Sequence, residues 1–336
     1  MTFKHSENDM SRSITAKEMA EALRRHGGRL IVTGHVRPDG DALGSALGLV
    51  LGLCAAGLDA LCVGVEPIGA EYAFLEGVDG IVPAADYAPL ADDRLVAVDC
   101  AVFSRIPEAM RDHAKARMGF CIDHHKSNDG FAPLCLIDPD ASSTAELVLG
   151  VLEAGGFPVT RGVAEALWVG IVTDTGRFSY SCTSPATLCA AARLIEAGAR
   201  FDEINDRVFG QTDFKRLRLQ RRLLDSLQVF ADGRVSLAKL GADDYAAEDC
   251  VDADSDNFVD VVRSVRGAVL SAFLRQVKPG APIHISLRTK PPFDASEIAA
   301  AWGGGGHDRA AGATVEGTLD EVFETVRREL EARVST

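Results

Sequence analysis

The sequence predicts an α/β protein, in which a doubly wound, mainly parallel sheet is followed by a smaller α+β domain. Short apolar runs alternate with helical patterns through the first part of the chain, which is typical of a doubly wound fold. After residue 228 hairpin and single-strand patterns replace this alternation, and 336 residues suffice for two domains. We expect a first domain over residues 1–201, a helical connector over 202–227, a second domain over 228–336 and a cleft between the two domains.

The composition is that of a globular protein with an acidic surface, since 47% of the residues are hydrophobic and 25% are charged. The formal net charge of −14 argues against binding of long nucleic acid by phosphate neutralisation, which needs a basic surface. Small anionic substrates agree with this charge if metal ions or a local basic cluster supply positive charge. The eight cysteines form no C-x-x-C pair, so we expect no disulfide framework, no zinc ribbon and a reducing cytoplasm.

Two segments bear on targeting and membranes. Residues 1–13 are polar and lack the apolar core of a signal peptide, so we expect a short loose tail. The apolar stretch 42–58 is interrupted by glycines, is slightly shorter than the ~20 residues that a membrane span needs, and follows two aspartates. We therefore expect a buried helix there.

The elements of the first domain follow from caps and apolar runs. A capping box at Thr15 and Glu18 predicts a helix that ends near Gly27-Gly28. Four apolar runs then predict buried parallel strands at residues 30–33, 61–65, 95–98 and 119–122. A second capping box, at Ser143 and Glu146, predicts another helix, and the apolar segment 164–172 leads to Asp174.

Three of the four predicted strands are followed by candidate ligands. His35 follows the first strand and Asp99 the third, while Asp123, His124 and His125 follow the fourth. In open α/β sheets ligands bind beyond the carboxyl ends of the strands. We therefore expect these side chains to meet at one edge of the sheet.

The second domain is predicted by a change of pattern behind a charged helical connector. The predicted elements are a hairpin over 228–240 around Asp232-Gly233, a helix over 257–275 and a strand over 282–289. In that strand apolar and polar residues alternate, which places Arg288 on the face opposite the apolar one.

Acidic and imidazole side chains are the candidate metal ligands. The loop GHVRPDGDALGS contains His35, Asp39 and Asp41, although a lone D-x-D also fits a solvated turn. The acids and imidazoles at the other strand ends, together with Asp174, favour a metal site, because clustered carboxylates repel one another without cations. Mixed imidazole and carboxylate ligands suit Mn(II), and two ions about 3.5–4 Å apart could hold a hydroxide that attacks phosphorus.

A glycine-rich loop near the end of the chain is a candidate anion site. Four glycines precede His307, and they permit backbone conformations that offer N–H groups to an anion. The following Ala310-Ala311-Gly312 allows another backbone to pack closely.

Five segments, in this order, resemble the DHH phosphoesterase family with its DHH-associated C-terminal domain. They are PDGDALGS, AVDCA with Asp99, CIDHH, DTGRFSY and GGGGHDRAAG, and the similarity spans roughly residues 28–317. Within this RecJ-like family the chain is most similar to the short branch of bifunctional oligoribonucleases and 3'-phosphoadenosine 5'-phosphate phosphatases. The resemblance implies a hydrolase of short RNA or small nucleotides with two divalent ions, foremost Mn(II), with Mg(II) or Co(II) as alternatives, and a homodimer.

The resemblance also assigns roles to single residues. The first metal would be held by His35, Asp39 and Asp99, and the second by Asp41, Asp99, His124 and Asp174, so that Asp99 bridges the two. Asp99 would thereby be catalytic, His125 would donate a hydrogen bond to the scissile phosphate, and Asp123 would orient the neighbouring imidazoles. The terminal phosphate and base would be bound by Gly304, Gly305, Gly306, His307 and Arg288, next to Thr289 where the family usually has Ser.

Other functions stay open at this point. A phosphodiesterase for cyclic di-AMP or its linear product pApA would use the same machinery. A single-strand DNA exonuclease of the RecJ type is less favoured because the chain is acidic and has no further strand-binding domain, and pyrophosphatase relatives carry a different second domain. A nucleotide-binding sensor without turnover is disfavoured by the complete set of ligands.

Several polar residues have a plain structural interpretation. Ser143 and Glu146 are predicted helix caps, and His5, His26, His113 and His284 are predicted surface or packing residues. Arg263 and Arg266 carry no diagnostic pattern, so a substrate role is less favoured for both.

Overall fold

The computed structural model describes residues 12–334, which divide into two compact units after Gln211. The tail predicted over residues 1–13 therefore lies mostly outside the described residues, and His5 lies wholly outside them. Arg12 and Ser13 form a short strand instead of continuing the tail. All eight cysteines lie within the described range and are free thiols.

The first unit alternates strands and helices. Its elements are β1 (Arg12–Ser13), α1 (Ala16–Arg25), β2 (Leu30–Thr33), α2 (Gly40–Ala55), β3 (Ala60–Cys62), β4 (Arg94–Val98), α3 (Arg111–Arg117), β5 (Met118–Asp123), β6 (Leu134–Ile137), α4 (Thr144–Gly155), α5 (Arg161–Asp174), α6 (Pro185–Glu196) and α7 (Phe201–Asn205). Across residues 12–334, its sheet has the strand order β1-β6-β5-β4-β2-β3, and every pairing in it is parallel. The predicted doubly wound, mainly parallel sheet is confirmed.

The central strands of this sheet are buried on both faces. In β4, Val96 and Val98 belong to the core shared with α1, α2, α4 and α5, whereas Leu95 and Ala97 face a second core around α3. Such burial requires apolar residues at every position of a strand, which explains the continuous apolar runs of the sequence.

The apolar stretch after the two aspartates forms the buried helix α2, as predicted. Its glycines allow close contact with α5, because a Cβ on Gly44 would lie 2.3 Å from the carbonyl oxygen of Ala166. Among residues 12–334, no helix is long and apolar enough to cross a membrane.

The two predicted capping boxes differ in the structure. At α1 both reciprocal bonds between Thr15 and Glu18 are present. At α4 the Ser143 hydroxyl accepts from the Glu146 N–H at 3.2 Å, but the Glu146 carboxylate accepts from the Ser142 backbone N–H and hydroxyl instead of closing the box. Ser143 is therefore the N-cap, and Glu146 supports the residue before it.

The charged stretch 202–227 is helical in two parts. Helix α7 continues into a π-helical turn at Asp206–Gly210, after which residues 211–213 are not helical. Helix α8 (Phe214–Ser226) begins after this break. The boundary between the two compact units, after Gln211, lies within the stretch.

The second unit contains a mixed sheet. After α8 its elements are β7 (Gln228–Phe230), β8 (Val235–Leu240), α9 (Ala242–Ala247), α10 (Phe258–Val262), β9 (Leu270–Arg275), β10 (Ile283–Thr289), α11 (Ala295–Ala300), β11 (Gly305–His307), β12 (Ala310–Val315) and α12 (Leu319–Val334). In the described chain the strand order is β11-β12-β10-β9-β8-β7, and the β8–β9 pair is the parallel one. The predicted hairpin is present as β7 and β8, with Asp232 and Gly233 at positive φ in its turn.

The helix predicted over residues 257–275 is wrong for most of its length. Helix α10 ends at Val262, and residues 270–275 form β9, which lies between β8 and β10. Gly267 has a φ of +93° in the connection, which breaks any continuous helix. Because β9 is buried on both faces, its sequence is mainly apolar, and periodicity cannot distinguish such a strand from a buried helix.

The two faces of this second sheet are covered differently. Helices α11 and α12 pack on one face, where Ile283, Ile285 and Leu287 of β10 are buried. Helices α8, α9 and α10 pack on the other face over β8 and β9. On that second face Ser286 and Arg288 of β10 are half-buried, so the strip formed by β10, β12 and β11 presents polar groups to solvent.

Candidate metal centre and substrate-binding face

The first unit brings the predicted metal ligands together beyond the carboxyl ends of β2, β4 and β5. Three groups of side chains each place their ligand atoms within 4.8 Å of one another: His35, Asp39 and Asp99; Asp41, His124 and Asp174; and Asp99, His124 and His125. Since Asp99 and His124 each belong to two groups, the three groups form one continuous cluster.

His35 follows β2 and is held by its own backbone. Its Nδ1 atom lies 3.0 Å from the carbonyl oxygen of Val36, while Nε2 lies 3.5 Å from Asp99 Oδ2 and 3.7 Å from Asp39 Oδ2. If Nδ1–H donates to the carbonyl, the lone pair on Nε2 is directed at the carboxylates. This tautomer is the one that a metal-binding imidazole needs.

Asp39 and Asp41 lie at the start of α2 and are fixed in different ways. Asp39 is the N-cap, and its Oδ1 accepts from the N–H groups of Asp41 and Ala42. Asp41 is fully buried and accepts from the N–H groups of Thr144 at 2.7 Å and Ala145 at 2.9 Å, which begin α4. The amino end of one helix therefore holds a buried carboxylate that belongs to another helix.

Asp99 occupies the centre of the cluster directly after β4. It is buried, and its Oδ1 accepts from the Thr144 hydroxyl at 3.0 Å and lies 3.6 Å from His124 Nε2. Its Oδ2 faces His35. The backbone of Asp99 has a φ of +52°, a conformation that is uncommon for residues other than glycine and that often accompanies functional sites.

The DHH segment, Asp123 to His125, begins at the last residue of β5. Its three side chains make different contacts. Asp123 is buried, and its Oδ1 accepts from His125 Nδ1 at 2.8 Å and from the backbone N–H of His124 at 2.9 Å. Asp123 therefore orients the ring of His125, but it contacts only the backbone of His124. The Nε2 atom of His124 lies 3.2 Å from Asp174 Oδ2.

Asp174 reaches the cluster from a helix. The apolar segment before it is α5, of which Asp174 is the last residue. Gly170, one turn earlier, makes room for the cluster, since a Cβ there would lie 2.7 Å from Asp41 Oδ1. Close packing of α5 against α2 thus carries Asp174 to the sheet edge.

The second unit aligns Arg288 and His307 across three strands. Ala310 of β12 is opposite Arg288 of β10 and opposite His307 of β11. Directly opposite residues project from the same face of a sheet. Arg288 and His307 therefore lie on the polar strip, and only the small side chain of Ala310 separates them.

The glycine loop is used differently from the prediction. The N–H groups of Gly303 and Gly304 donate to the carbonyl oxygens of Ala300 and Ala299 at the end of α11, so these two groups are not free to bind an anion. A Cβ on Gly304 would lie 2.1 Å from the carbonyl oxygen of Gly312, so this glycine permits close strand packing. Gly305 and Gly306 are exposed in the edge strand β11.

Comparison with known proteins agrees with this arrangement. The model of the DHH family N-terminal domain matches residues 29–171, and that of the DHHA1 domain matches residues 242–336. The bifunctional oligoribonuclease and PAP phosphatase NrnA of Thermus thermophilus is 35% identical over 325 residues, which cover 93% of each chain. The chain belongs to the DHH family. Membership makes it a hydrolase of phosphoester bonds.

One solved structure and one further relative are also similar to this chain. The crystal structure of an exopolyphosphatase-related protein from Bacteroides fragilis has a TM-score of 0.83 and 28% identity, and the match covers 96% of this chain and 97% of that chain. The cyclic-di-AMP phosphodiesterase PdeA of Listeria monocytogenes is 32% identical over 191 residues, which cover 55% of this chain and 28% of that protein.

Several pKa values in the cluster of predicted metal ligands are raised, which indicates that the carboxylates lack neighbouring positive charge. Burial disfavours the charged form of His35, but hydrogen bonds to Asp39 and Asp99 outweigh it and raise the pKa of His35 to about 10. Burial and the neighbouring Asp99 raise the pKa of Asp174 to about 7. The pKa of Asp41 is also raised well above its ordinary value, chiefly by burial. Without another cation, protons are thus retained to offset the carboxylates.

The donor atoms of the cluster fit divalent cations. Two ligand atoms that each lie about 2.1 Å from one octahedral ion, at right angles, are about 3 Å apart. The separations of 3.2 Å between His124 and Asp174 and of 3.5 Å between His35 and Asp99 are close to this value. Carboxylate oxygens with imidazole nitrogens suit Mn(II) and similar ions more than thiolate-selecting metals.

Three residues of the DHH site were not identified from the sequence. Thr144 donates its hydroxyl to Asp99, and Asn128 donates to Asp123 Oδ2 at 2.6 Å. Arg105 places Nη2, which can only donate, 3.0 Å from His35 Nδ1, so this contact competes with the bond from Nδ1–H to the Val36 carbonyl. Asn128 lies in the same loop as the DHH segment, but neither Thr144 nor Arg105 has a signal in a single sequence, since tertiary packing alone brings them to the cluster.

Proposed function

We propose that this chain is a divalent-metal-dependent phosphoesterase that hydrolyses short oligoribonucleotides and 3'-phosphoadenosine 5'-phosphate. The observation that carries the proposal is the continuous cluster of His35, Asp39, Asp41, Asp99, His124 and Asp174. The similarity to the Thermus protein over nearly the whole length supports the substrate class.

In this proposal two ions, foremost Mn(II), share the cluster. His35, Asp39 and Asp99 would hold one ion, and Asp41, Asp99, His124 and Asp174 would hold the other. The pair would supply Lewis acidity for the attack of water on phosphorus and for stabilising the charge of the transition state. The raised pKa values of Asp41 and Asp174 support a need for such cations.

His125 is proposed as the donor to the scissile phosphate. Its Nδ1 is held by Asp123, and this hydrogen bond raises the pKa of His125. The imidazole therefore keeps a proton more readily and can donate through Nε2 to a phosphate oxygen. Asn128 holds the other oxygen of Asp123, so it maintains the orientation of this pair.

The second unit is proposed to bind the end of the substrate. Arg288 and His307 offer cationic and hydrogen-bonding groups on one face of the sheet. Exposed Gly305 and Gly306 would allow close approach of a phosphate. Recognition of an end favours exonucleolytic removal of a nucleotide or removal of a terminal phosphate.

A second candidate is a phosphodiesterase for pApA or cyclic di-AMP. The Listeria phosphodiesterase favours it, although that match covers little more than half of this chain. The reaction would use the same cluster on the same type of bond. A nucleotide sensor without turnover is a third class, and the complete ligand set argues against it.

Rates on defined substrates distinguish these functions. The chelated full-length protein would be assayed with Mn(II), Mg(II) or Co(II) on 3'-phosphoadenosine 5'-phosphate, RNA of two to five nucleotides, pApA and cyclic di-AMP. We expect Mn(II)-dependent release of phosphate or mononucleotide, with the first two substrates preferred, and none from Asp99→Ala. Preference for pApA or cyclic di-AMP would favour the second candidate, whereas tight binding without turnover of any substrate would favour the sensor.

A further inference from the structure

An acidic residue connects two arginines beside the polar strip of the second unit. Asp260 lies in α10, and its Oδ1 is 2.8 Å from Arg263 Nε and 3.9 Å from Arg288 Nε. The three side chains are between 26% and 44% exposed. They therefore form a solvent-accessible cluster at the border of the strip.

We propose that Arg263 is a second phosphate-binding residue, which acts with Arg288 on the terminal phosphomonoester of the substrate. This inference rests on the proposed function, because it adds a specificity residue to the same substrate-binding face. It distinguishes Arg263 from Arg266, which the sequence alone does not separate.

The side chain of Arg263 is accessible to a ligand, while both guanidinium groups are oriented by neighbouring oxygen atoms. Arg263 places Nε 2.8 Å from Asp260 Oδ1, and its side chain is 44% exposed. Arg288 faces Asp260 with Nε and donates from Nη1 to the carbonyl oxygen of Leu287 at 3.1 Å. Asp260 thus engages the Nε side of both groups and orients them, and the exposed side chain of Arg263 remains accessible to a ligand.

The charge of this cluster suits a phosphomonoester better than a diester. A phosphomonoester carries a charge near −2 at neutral pH, because its second pKa is about 6. Two arginines and one aspartate give a net charge of +1, and planar guanidinium groups bind phosphate oxygens through paired N–H donors. A terminal phosphate therefore gains more from the second arginine than an internal phosphate, which carries one negative charge.

Arg266 offers a matched control on the same segment. It is exposed, and in the described chain its side chain has no ion pair or hydrogen bond with Asp260 or Arg288. A substitution of Arg266 removes the same charge three residues away. Differences between the two variants thus report the contact and not the net charge of the unit.

The test compares substrates that differ only in a terminal phosphate. The full-length protein with Mn(II) would be assayed on the diadenylates pApA and ApA, with the variants Arg263→Ala, Arg263→Lys and Arg266→Ala. We expect Arg263→Ala to raise KM for pApA about 10- to 100-fold, as for loss of a charge-assisted hydrogen bond, and to change KM for ApA less than about twofold. Arg263→Lys would give an intermediate value, and Arg266→Ala would resemble the wild type.

Three outcomes would overturn the inference: an unchanged KM for pApA in Arg263→Ala, equal losses on pApA and ApA, or the same loss in Arg266→Ala. Failure of the proposed function would be recognised separately, as no turnover of either substrate by the wild type. In that case calorimetric binding of AMP and adenosine replaces the kinetics. Weaker binding of AMP alone by Arg263→Ala would then support the phosphate contact, and unchanged binding would exclude it.

Discussion

The two edges of the first sheet neutralise buried carboxylates in different ways. At the amino ends of the strands, the buried Asp93 makes two bonds of 2.9 Å with Arg29 and accepts from the Tyr87 hydroxyl. At the carboxyl ends, Asp41 and Asp99 are equally buried but face imidazoles and further carboxylates. Arg29 supplies a permanent cation at the first edge, whereas the carboxylates of the second edge face imidazoles, whose charge depends on protonation.

The two edges of the sheet are therefore expected to affect different properties of the protein. A paired carboxylate keeps its charge without help, whereas a cluster of carboxylates is stable only with protons or metal ions. The first edge should therefore determine stability in acid, and the second should determine activity and the response to metals.

The largest expected effect is the loss of activity at the carboxyl edge. Replacement of the central Asp99 by alanine removes a shared ligand, so we expect kcat to fall about 1,000-fold or more. Steady-state hydrolysis of 3'-phosphoadenosine 5'-phosphate with Mn(II) measures this effect. Asp140→Ala, at an exposed aspartate outside the cluster, is the control. Comparable losses in both variants would contradict a specific role for the cluster.

Metal binding at the same edge should be measurable in the absence of substrate. Mn(II) at 100 times its dissociation constant should stabilise the wild-type protein by about 2.7 kcal/mol, because binding to the native state alone adds to the free energy of unfolding. Urea unfolding of chelated protein with and without Mn(II) measures the difference. Asp99→Ala should lose most of this gain. An equal gain in the variant would place the ion elsewhere.

A smaller effect is expected from the residue that supports the DHH segment. Asn128→Ala removes the donor to Asp123 Oδ2, so the pair of Asp123 and His125 loses its fixed orientation. We expect kcat to fall about 10- to 100-fold with little change in KM, as for other supporting groups of metal sites. Ser127→Ala, at the exposed neighbour, should keep both constants. A change confined to KM would contradict the orienting role.

The sequence predicts which side chains meet at the carboxyl ends of the strands, because most of them are adjacent in sequence to the strands that position them. Buried strands are continuous apolar runs, and the polar residues that end them, such as His35 and Asp99, are adjacent in sequence to the strand that positions them. In the second unit, β9 is mainly apolar and has no distinguishing period, so its sequence pattern predicts a helix instead of a strand. The N–H groups of Gly303 and Gly304 donate to the end of α11, and a single sequence does not locate that end. Contacts such as Thr144 with Asp99 depend on packing between elements 45 residues apart.

The smallest expected effect is at the amino ends of the strands, where Arg29 neutralises Asp93. Burial opposes the charge of Asp93, but the hydrogen bonds from Arg29 and Tyr87 outweigh it and lower the pKa of Asp93 to about 2. A carboxylate with a lowered pKa contributes stability that is present above its unfolded pKa, 3.8 here, and lost as the pH falls through the folded value. Between pH 4 and pH 2 the wild type should thus lose about 2 kcal/mol through this group.

Asp93→Asn tests this assignment, because asparagine cannot carry the charge that Arg29 stabilises. Its free energy of unfolding should be below that of the wild type at pH 5, and the gap should narrow toward pH 2, since protonation removes the same charge from the wild type. Urea denaturation of chelated protein at several pH values measures the gap, and Asp92→Asn, at the exposed neighbour, should follow the wild type. A gap that stays constant with pH would mean that Asp93 contributes through packing and hydrogen bonding alone, and the contrast between the two edges would then be lost.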